Sequence, residues 1–306
     1  MSDLPTSFFA SSTHAIVVTY NPDIIVLLKL LDQLNKETKF TLIDNGSSNI
    51  NTLSDSILVY ENCREIVRLD NNQGLASALN IGIAKARTMG CEYVFLFDQD
   101  SCLCNQFISR MVATYTEVAP GSSKGIAALG PRIVNPQSMR KTPFKLFNRL
   151  MLRSDCPFAK STSHYRADFL ITSGTLLIVK HLTEIGEMKE SYFIDNIDLE
   201  WSFRAKAKGF DLIGTDAAVL YHMIGEHSAN PLVHAGLMAQ HNPSRIYYSS
   251  RNRTHLYRVS YSPLGWKIRD RIRFFLKAAW LILCSSERRQ YWRNIRSGIR
   301  DASSLT

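Results

Sequence analysis

The stretch YVFLFDQDS, residues 93–101, is an apolar run that ends in two carboxylates one residue apart, Asp98 and Asp100. A strand buried on both faces reads as such a continuous run. Ionised carboxylates at its end are costly to desolvate unless they reach water, a partner or a metal. Working outward, HAIVVTY (14–20), KFTLIDNGSS (39–48) and EIVRLD (65–70) read as three further strands. Helical spacing lies between them. Ile24, Leu27, Leu28 and Leu31 share a face over 23–35, and Leu75, Leu79 and Ile83 line up over 72–90. Strands alternating with helices predict an α/β fold, a mostly parallel sheet covered on both faces, with ligands outside the carboxyl ends of the strands. Three polar clusters fall at those ends: Thr19-Tyr20-Asn21, Asp44-Asn45-Gly46-Ser47 and Asp98-Gln99-Asp100. They are expected on one rim.

Composition narrows the class. With 306 residues, 45% of them hydrophobic, the chain buries a sizeable core. No run reaches the ~18 consecutive apolar residues of a membrane span, and the N-terminus lacks the pattern of a signal peptide. The cysteines at 63, 91, 102, 104, 156 and 284 show no paired metal spacing and read as free thiols of a reducing compartment. Neither G-x-G-x-x-G nor a P-loop is present, which removes the dinucleotide and P-loop classes. The net charge of +9 is uneven: residues 245–306 hold 14 Lys/Arg against 3 Asp/Glu, whereas 1–244 hold 22 against 24. A basic C-terminal fifth points to an anionic surface, nucleic acid or lipid headgroups.

Residues 135–166, polar, basic and aromatic, read as a long loop over the site, and 168–179 as a strand broken at Ser173-Gly174. YFIDNIDLEWSFRAKAKGF (192–210) opens a helix with Asp195, Asp198 and Glu200. Capping accounts for one or two of these acids, Asp195 as N-cap with Asp198 three residues on. A carboxylate at a helix N-terminus that faces a cleft also suits a general base. His222 ends another apolar run, as a packed residue or a ligand, and residues 244–258 mix Arg with Tyr. In 263–284, Leu264, Ile268, Ile272, Leu276 and Trp280 recur every four residues between basic side chains. Such a helix lies in the headgroup plane of an anionic membrane or packs its stripe on the rest of the protein.

VVTYNPD, LIDNGSSN, LDNNQGLASALNIGIAKA, FLFDQDS, TSGTLLI, FIDNIDLEWSFRAKAKGF, YHMIGEHS and YYSSRNRTHLYR, in this order and spacing, resemble the family 2 inverting glycosyltransferases, and within them the bacterial rhamnosyltransferase branch. The resemblance runs over roughly residues 14–258. It implies a GT-A fold, Rossmann-like, over residues 1–235, followed by a helical, basic, membrane-associating extension over 236–306.

The resemblance also implies residue roles. Thr19, Tyr20 and Asn21 would line the nucleotide pocket, Asp44 would meet the base, and Asn72, Gly74 and Asn80 would border nucleotide and sugar. Asp98 and Asp100, with Gln99 between them as in the rhamnosyl branch, would hold Mg²⁺ or Mn²⁺, completed by His222. Aligning the family's E-D-x-D-x-x-x-R pattern on Arg204 puts the base on Asp198, with Ile197 departing from the usual Glu, a departure that leaves Asp195 as the rival base. One in-line displacement would convert dTDP-L-rhamnose into an α-L-rhamnoside on a polyprenyl-diphosphate-linked acceptor, in O-antigen or other surface polysaccharide synthesis. The implied location is cytoplasmic, peripheral on the inner face of the bacterial inner membrane, without nucleic acid. Two other readings keep the same residues: a UDP-hexose donor, or a catalytically silent nucleotide-sugar or nucleic-acid binding protein.

Overall fold

A computed structural model describes residues 12–49, 57, 59–147, 152–158, 163–222 and 243–305. The expected boundary at 235/236 and the end of the YHMIGEHS motif lie outside these residues. The first half alternates as expected: β1 (Thr13–Thr19), α1 (Ile24–Asn35), β2 (Lys39–Asp44), β3 (Cys63–Arg68), α2 (Leu75–Thr88) and β4 (Tyr93–Asp98). Asp23 caps α1 by accepting from the amides of Ile25 and Val26. Next come β5 (Cys102–Leu103), α3 (Phe107–Val118), β6 (Ile126–Val134), β7 (Lys145–Phe147), β8 (Leu152–Ser154), β9 (Cys156–Pro157), β10 (His164–Ala167) and β11 (Thr175–Ile178). The chain ends with α4 (Leu182–Ile185), α5 (Ile197–Ala207), β12 (Asp211–Tyr221), α6 (Pro243–Arg258), α7 (Leu264–Cys284) and α8 (Arg288–Asp301).

One mixed sheet organises the molecule, in the order β3-β2-β1-β4-β11-β6-β12-β10-β9, with β5 on β12. β3, β2, β1 and β4 are parallel, and β11 then runs antiparallel to β4 and β6. Central strands are wholly buried, as at Ala15, Ile16, Phe95 and Leu96, because helices cover both faces. The register sets the site: Thr19 is level with Asp44, and Val18 with Asp98. The three polar clusters therefore end on one rim.

Two expectations change. The strand expected over 168–179 is only Thr175–Ile178, and residues 168–174 cross the sheet end as an irregular segment. The described part of 135–166 forms the β7–β8 hairpin, β9 and β10. Buried Arg132 anchors it, pairing with Asp155 at 2.8 Å and with Asp216 at 2.5 Å.

The C-terminal helices are fused to this body. Leu256 and Trp266 join the central core, where Trp266 meets Phe203 of α5 edge-on at 5.3 Å. Ile246, Leu281, Tyr291 and Ile295 form a smaller core among α6, α7 and α8. Among the described residues no helix is long and apolar enough to cross a membrane.

Candidate active site

The rim opens into a cleft of about 600 Å³ lined by Thr19, Tyr20, Asn72, Gly74, Asp98, Gln99, Asp100, Asp198, His222 and others. Nine of the twelve residues picked from sequence therefore share one cavity. Gln99 Oε1 accepts from the Tyr20 amide at 2.8 Å, tying the β4 turn to the end of β1. Asn72 Oδ1 accepts from Asn45 Nδ2 at 3.1 Å and from the Gly74 amide at 2.9 Å. Gly74 has φ +88°, and a Cβ there would lie 2.6 Å from the Phe193 ring. Only glycine fits this turn.

Three expected residues stand differently. Asp44 is buried one hydrogen bond behind the lining, its carboxylate taken by Thr19 Oγ1 and by the Ser47 amide and hydroxyl. Asn21 does not line the cleft; its side chain accepts from the amide and hydroxyl of Ser48. Asn80 lies outside the lining too. It exchanges hydrogen bonds with the Met188 main chain and donates to Glu190 at 3.0 Å, fixing α2 to the segment before α5. A buried asparagine pairing with main chain has no group left for a nucleotide.

Asp98, Asp100 and His222 offer ligand atoms that lie within 4.8 Å of one another. The β5–β12 pairing brings them together: Tyr221 is opposite Cys102, which sets His222 beside the Asp98–Ser101 turn. His222 Nδ1 is buried, has no hydrogen-bond partner, and points at Asp100 Oδ1 from 3.6 Å. Burial pushes the Asp98 carboxyl above the ordinary carboxylate range; His222 opposes the shift, Asp100 adds to it and Arg245 opposes it. An orphaned imidazole nitrogen beside two crowded carboxylates fits a divalent cation, whose charge would remove both penalties. Two carboxylates and one imidazole suit Mn²⁺ or Mg²⁺.

The acids at the start of α5 separate into three roles. Asp198 lines the cleft, and burial, followed by the nearby Asp195 and Asp98 charges, pushes its carboxyl up to about 6; the Leu199 amide, at 2.8 Å, opposes the shift. Asp195 pairs with Arg245 Nη2 at 2.8 Å, and α5 is preceded by Asn196 without a side-chain cap, so capping does not explain Asp195. Glu200 is buried against Arg204 (2.8 and 2.9 Å) and the Tyr261 hydroxyl (2.7 Å), a structural pair.

Sequence reasoning missed Phe193, Asn196 and Arg245 among the lining residues. Arg245 sits in the Arg/Tyr run noted above, but nothing in that run singles it out. Phe193, Asp195 and Asn196 have φ of 61°, 67° and 61°. Three left-handed non-glycine residues in four positions are costly, and such strain gathers at functional sites.

Residues 15–155 match the glycosyl transferase family 2 model. These residues form a family 2 glycosyltransferase domain. Over 284 residues it is 26% identical to the dTDP-rhamnosyl transferase RfbF of Shigella flexneri, covering 92% of each chain. Among solved structures the chain resembles GalNAc-T7 with UDP, GalNAc and Mn²⁺, at a TM-score of 0.63 and 13% identity; 96% of the chain is covered, spanning 56% of that protein's length. TarS of S. aureus with UDP-GlcNAc matches at a TM-score of 0.58 and 14% identity, over 96% of this chain and 84% of that one. The mannosyltransferase PcManGT of Pyrobaculum calidifontis, with GDP-Man and Mn²⁺, matches at 0.54 and 13%, over 96% and 73%. These likenesses establish the GT-A fold.

Proposed function

We propose that the enzyme transfers L-rhamnose from dTDP-L-rhamnose, with inversion, to a lipid-linked oligosaccharide of a bacterial surface polysaccharide such as O-antigen. The observation that carries the reading is the position of Asp198, a carboxyl held near 6, in the same cleft as Asp98, Asp100 and His222. A carboxylate with that affinity for protons is ionised at neutral pH yet basic enough to take one from a sugar hydroxyl. The acceptor hydroxyl loses its proton to Asp198 as it attacks the anomeric carbon from the side opposite the departing diphosphate. That single displacement inverts the configuration. Asp98, Asp100 and His222 would hold Mg²⁺ or Mn²⁺, a Lewis acid for the charge growing on the diphosphate. Thr19, Tyr20, Asn72 and Gly74 border the donor, and Arg245, fixed by Asp195, adds positive charge to the cleft.

The rhamnosyl donor is supported by the likeness to RfbF and by Gln99 between the two aspartates. A lipid acceptor calls for work at a membrane surface, on the cytoplasmic side where nucleotide sugars are made. Calorimetry with dTDP-L-rhamnose, UDP-glucose, UDP-galactose and UDP-N-acetylglucosamine, with and without Mn²⁺, tests the donor. Metal-dependent binding of dTDP-L-rhamnose alone is expected. Preference for a UDP-sugar overturns the rhamnosyl assignment and leaves the fold and metal site standing.

A further inference from the structure

Helix α7 has two apolar faces. One holds Trp266, Phe274 and Leu281 and packs inward. On that side Asp270 accepts both Arg253 Nη1 bonds, at 2.8 and 2.9 Å, and the Tyr257 hydroxyl at 2.6 Å. The other face carries Leu264, Ile268, Ile272, Phe275, Leu276 and Leu283, each between 45 and 75% exposed. At about 100° per residue these six fill an arc of roughly 120°. Arg271 flanks the arc on one edge and Arg273 on the other, both exposed. Helix α8, packed alongside, turns Trp292 outward together with Arg288, Arg289, Arg293 and Arg296. Residues 264–301 hold ten Lys/Arg against three acids, Asp270, Glu287 and Asp301.

We propose that this outer face of α7, with the basic face of α8, docks in the plane of an anionic lipid bilayer, the six apolar side chains entering the acyl boundary and the arginines reaching lipid phosphates. An apolar arc between two basic edges has the form of an interfacial helix, because long cationic side chains extend to the headgroups while their neighbours sink. Charge complementarity selects the occupant. A second copy of the chain seated face to face would set arginine rows against each other. Nucleic acid would leave six large apolar side chains against water. Both charges and apolar chains are met by a membrane rich in anionic lipid.

Docking there also explains how a lipid-linked acceptor reaches the cleft, and in that respect it rests on the acceptor class proposed above. Leu281 of α7 packs in one small core with Ile246 of α6, the chain neighbour of Arg245, which lines the cleft. The docking helix thus packs on the helix that supplies a lining residue.

The test is flotation of the full-length protein with vesicles of phosphatidylcholine alone or mixed with phosphatidylglycerol. Recovery with the mixed vesicles only is expected, falling as salt rises. Ile272→Gln/Phe275→Gln/Leu276→Gln should lower lipid affinity at least roughly tenfold, and Arg271→Gln/Arg273→Gln should weaken the preference for anionic lipid. All five positions are exposed, so melting temperature and donor binding should stay at wild-type values. Wild-type flotation by the triple variant overturns the proposal. So does a wild-type dimer in light scattering that the triple variant dissolves while neither protein binds vesicles. Donor binding in the same samples keeps the donor reading separate, since its failure would leave flotation untouched.

Discussion

The side-chain amide of Asn252 donates to the main-chain carbonyl of Asp195 at 2.8 Å, clamping the loop that leads into Asp198 from a helix 57 residues further on. The same NH₂ reaches the carbonyls of Ile194 at 2.8 Å and Tyr192 at 2.9 Å. Three carbonyls share one amide across the left-handed stretch, so Asn252 holds a backbone that would otherwise relax. Asn252→Ala is expected to cost about 2–3 kcal/mol of stability, the penalty for unpaired buried carbonyls. Turnover should fall more than donor affinity does. Denaturant unfolding together with separate kcat and KM values checks this; equal loss in both constants would speak for a general structural role.

Asp198→Asn should reduce turnover by roughly 10²–10⁴-fold with donor binding kept, the range for loss of a general base. In the wild type, kcat/KM should rise with pH through about 6 and level off above it, because only the ionised carboxylate accepts a proton. The stability effect has the opposite sense. The folded carboxyl holds its proton more tightly than the unfolded one, so stability declines as pH rises from about 4 to 6. The asparagine variant lacks that decline and should be more stable at neutral pH, by on the order of 1–2 kcal/mol, since the group opens to solvent in the cleft. Melting curves across this pH range measure it.

Chelation should abolish transfer, and Mn²⁺ or Mg²⁺ should restore it. His222→Ala is expected to weaken Mn²⁺ binding in a direct titration while leaving the fold intact, because its Nδ1 makes no hydrogen bond that would be lost. Unchanged Mn²⁺ affinity in both His222→Ala and Asp100→Ala would remove these residues from the metal site.

Tyr261→Phe removes one hydrogen bond from buried Glu200 and should lower stability by about 1–2 kcal/mol with turnover retained. The comparison with Asp198→Asn separates the two neighbouring acids. Loss of turnover in Tyr261→Phe at unchanged stability would reassign Glu200 to the chemistry.

Much of this was legible in the residues. Period-2 and continuous apolar runs marked β1, β2 and β4, and the parallel arrangement followed from the helices between them. Once the strands are parallel, their polar ends have to meet on one rim, as Thr19, Asp44 and Asp98 do. Asn80 misled because a family motif records position along the helix, whereas its burial against Met188 depends on a segment 108 residues away. The stripe on α7 was visible as a pattern, yet a helix with two apolar faces does not say which one meets water.

The sequence by itself determined the α/β class and the rim that carries Thr19, Asp44 and Asp98, since these follow from local periodicity and from what strands of one direction must do; Asp198 was marked by the family motif alone. Tertiary structure alone decided that His222 stands beside Asp100, that Arg245 answers Asp195, that Asn252 fixes the loop before α5, and that Leu264, Ile268 and Ile272 face outward. Each depends on pairing and packing between segments distant in the chain, such as the two-residue register of β5 on β12. Local propensity carries no record of such registers; they are fixed only when the whole sheet closes.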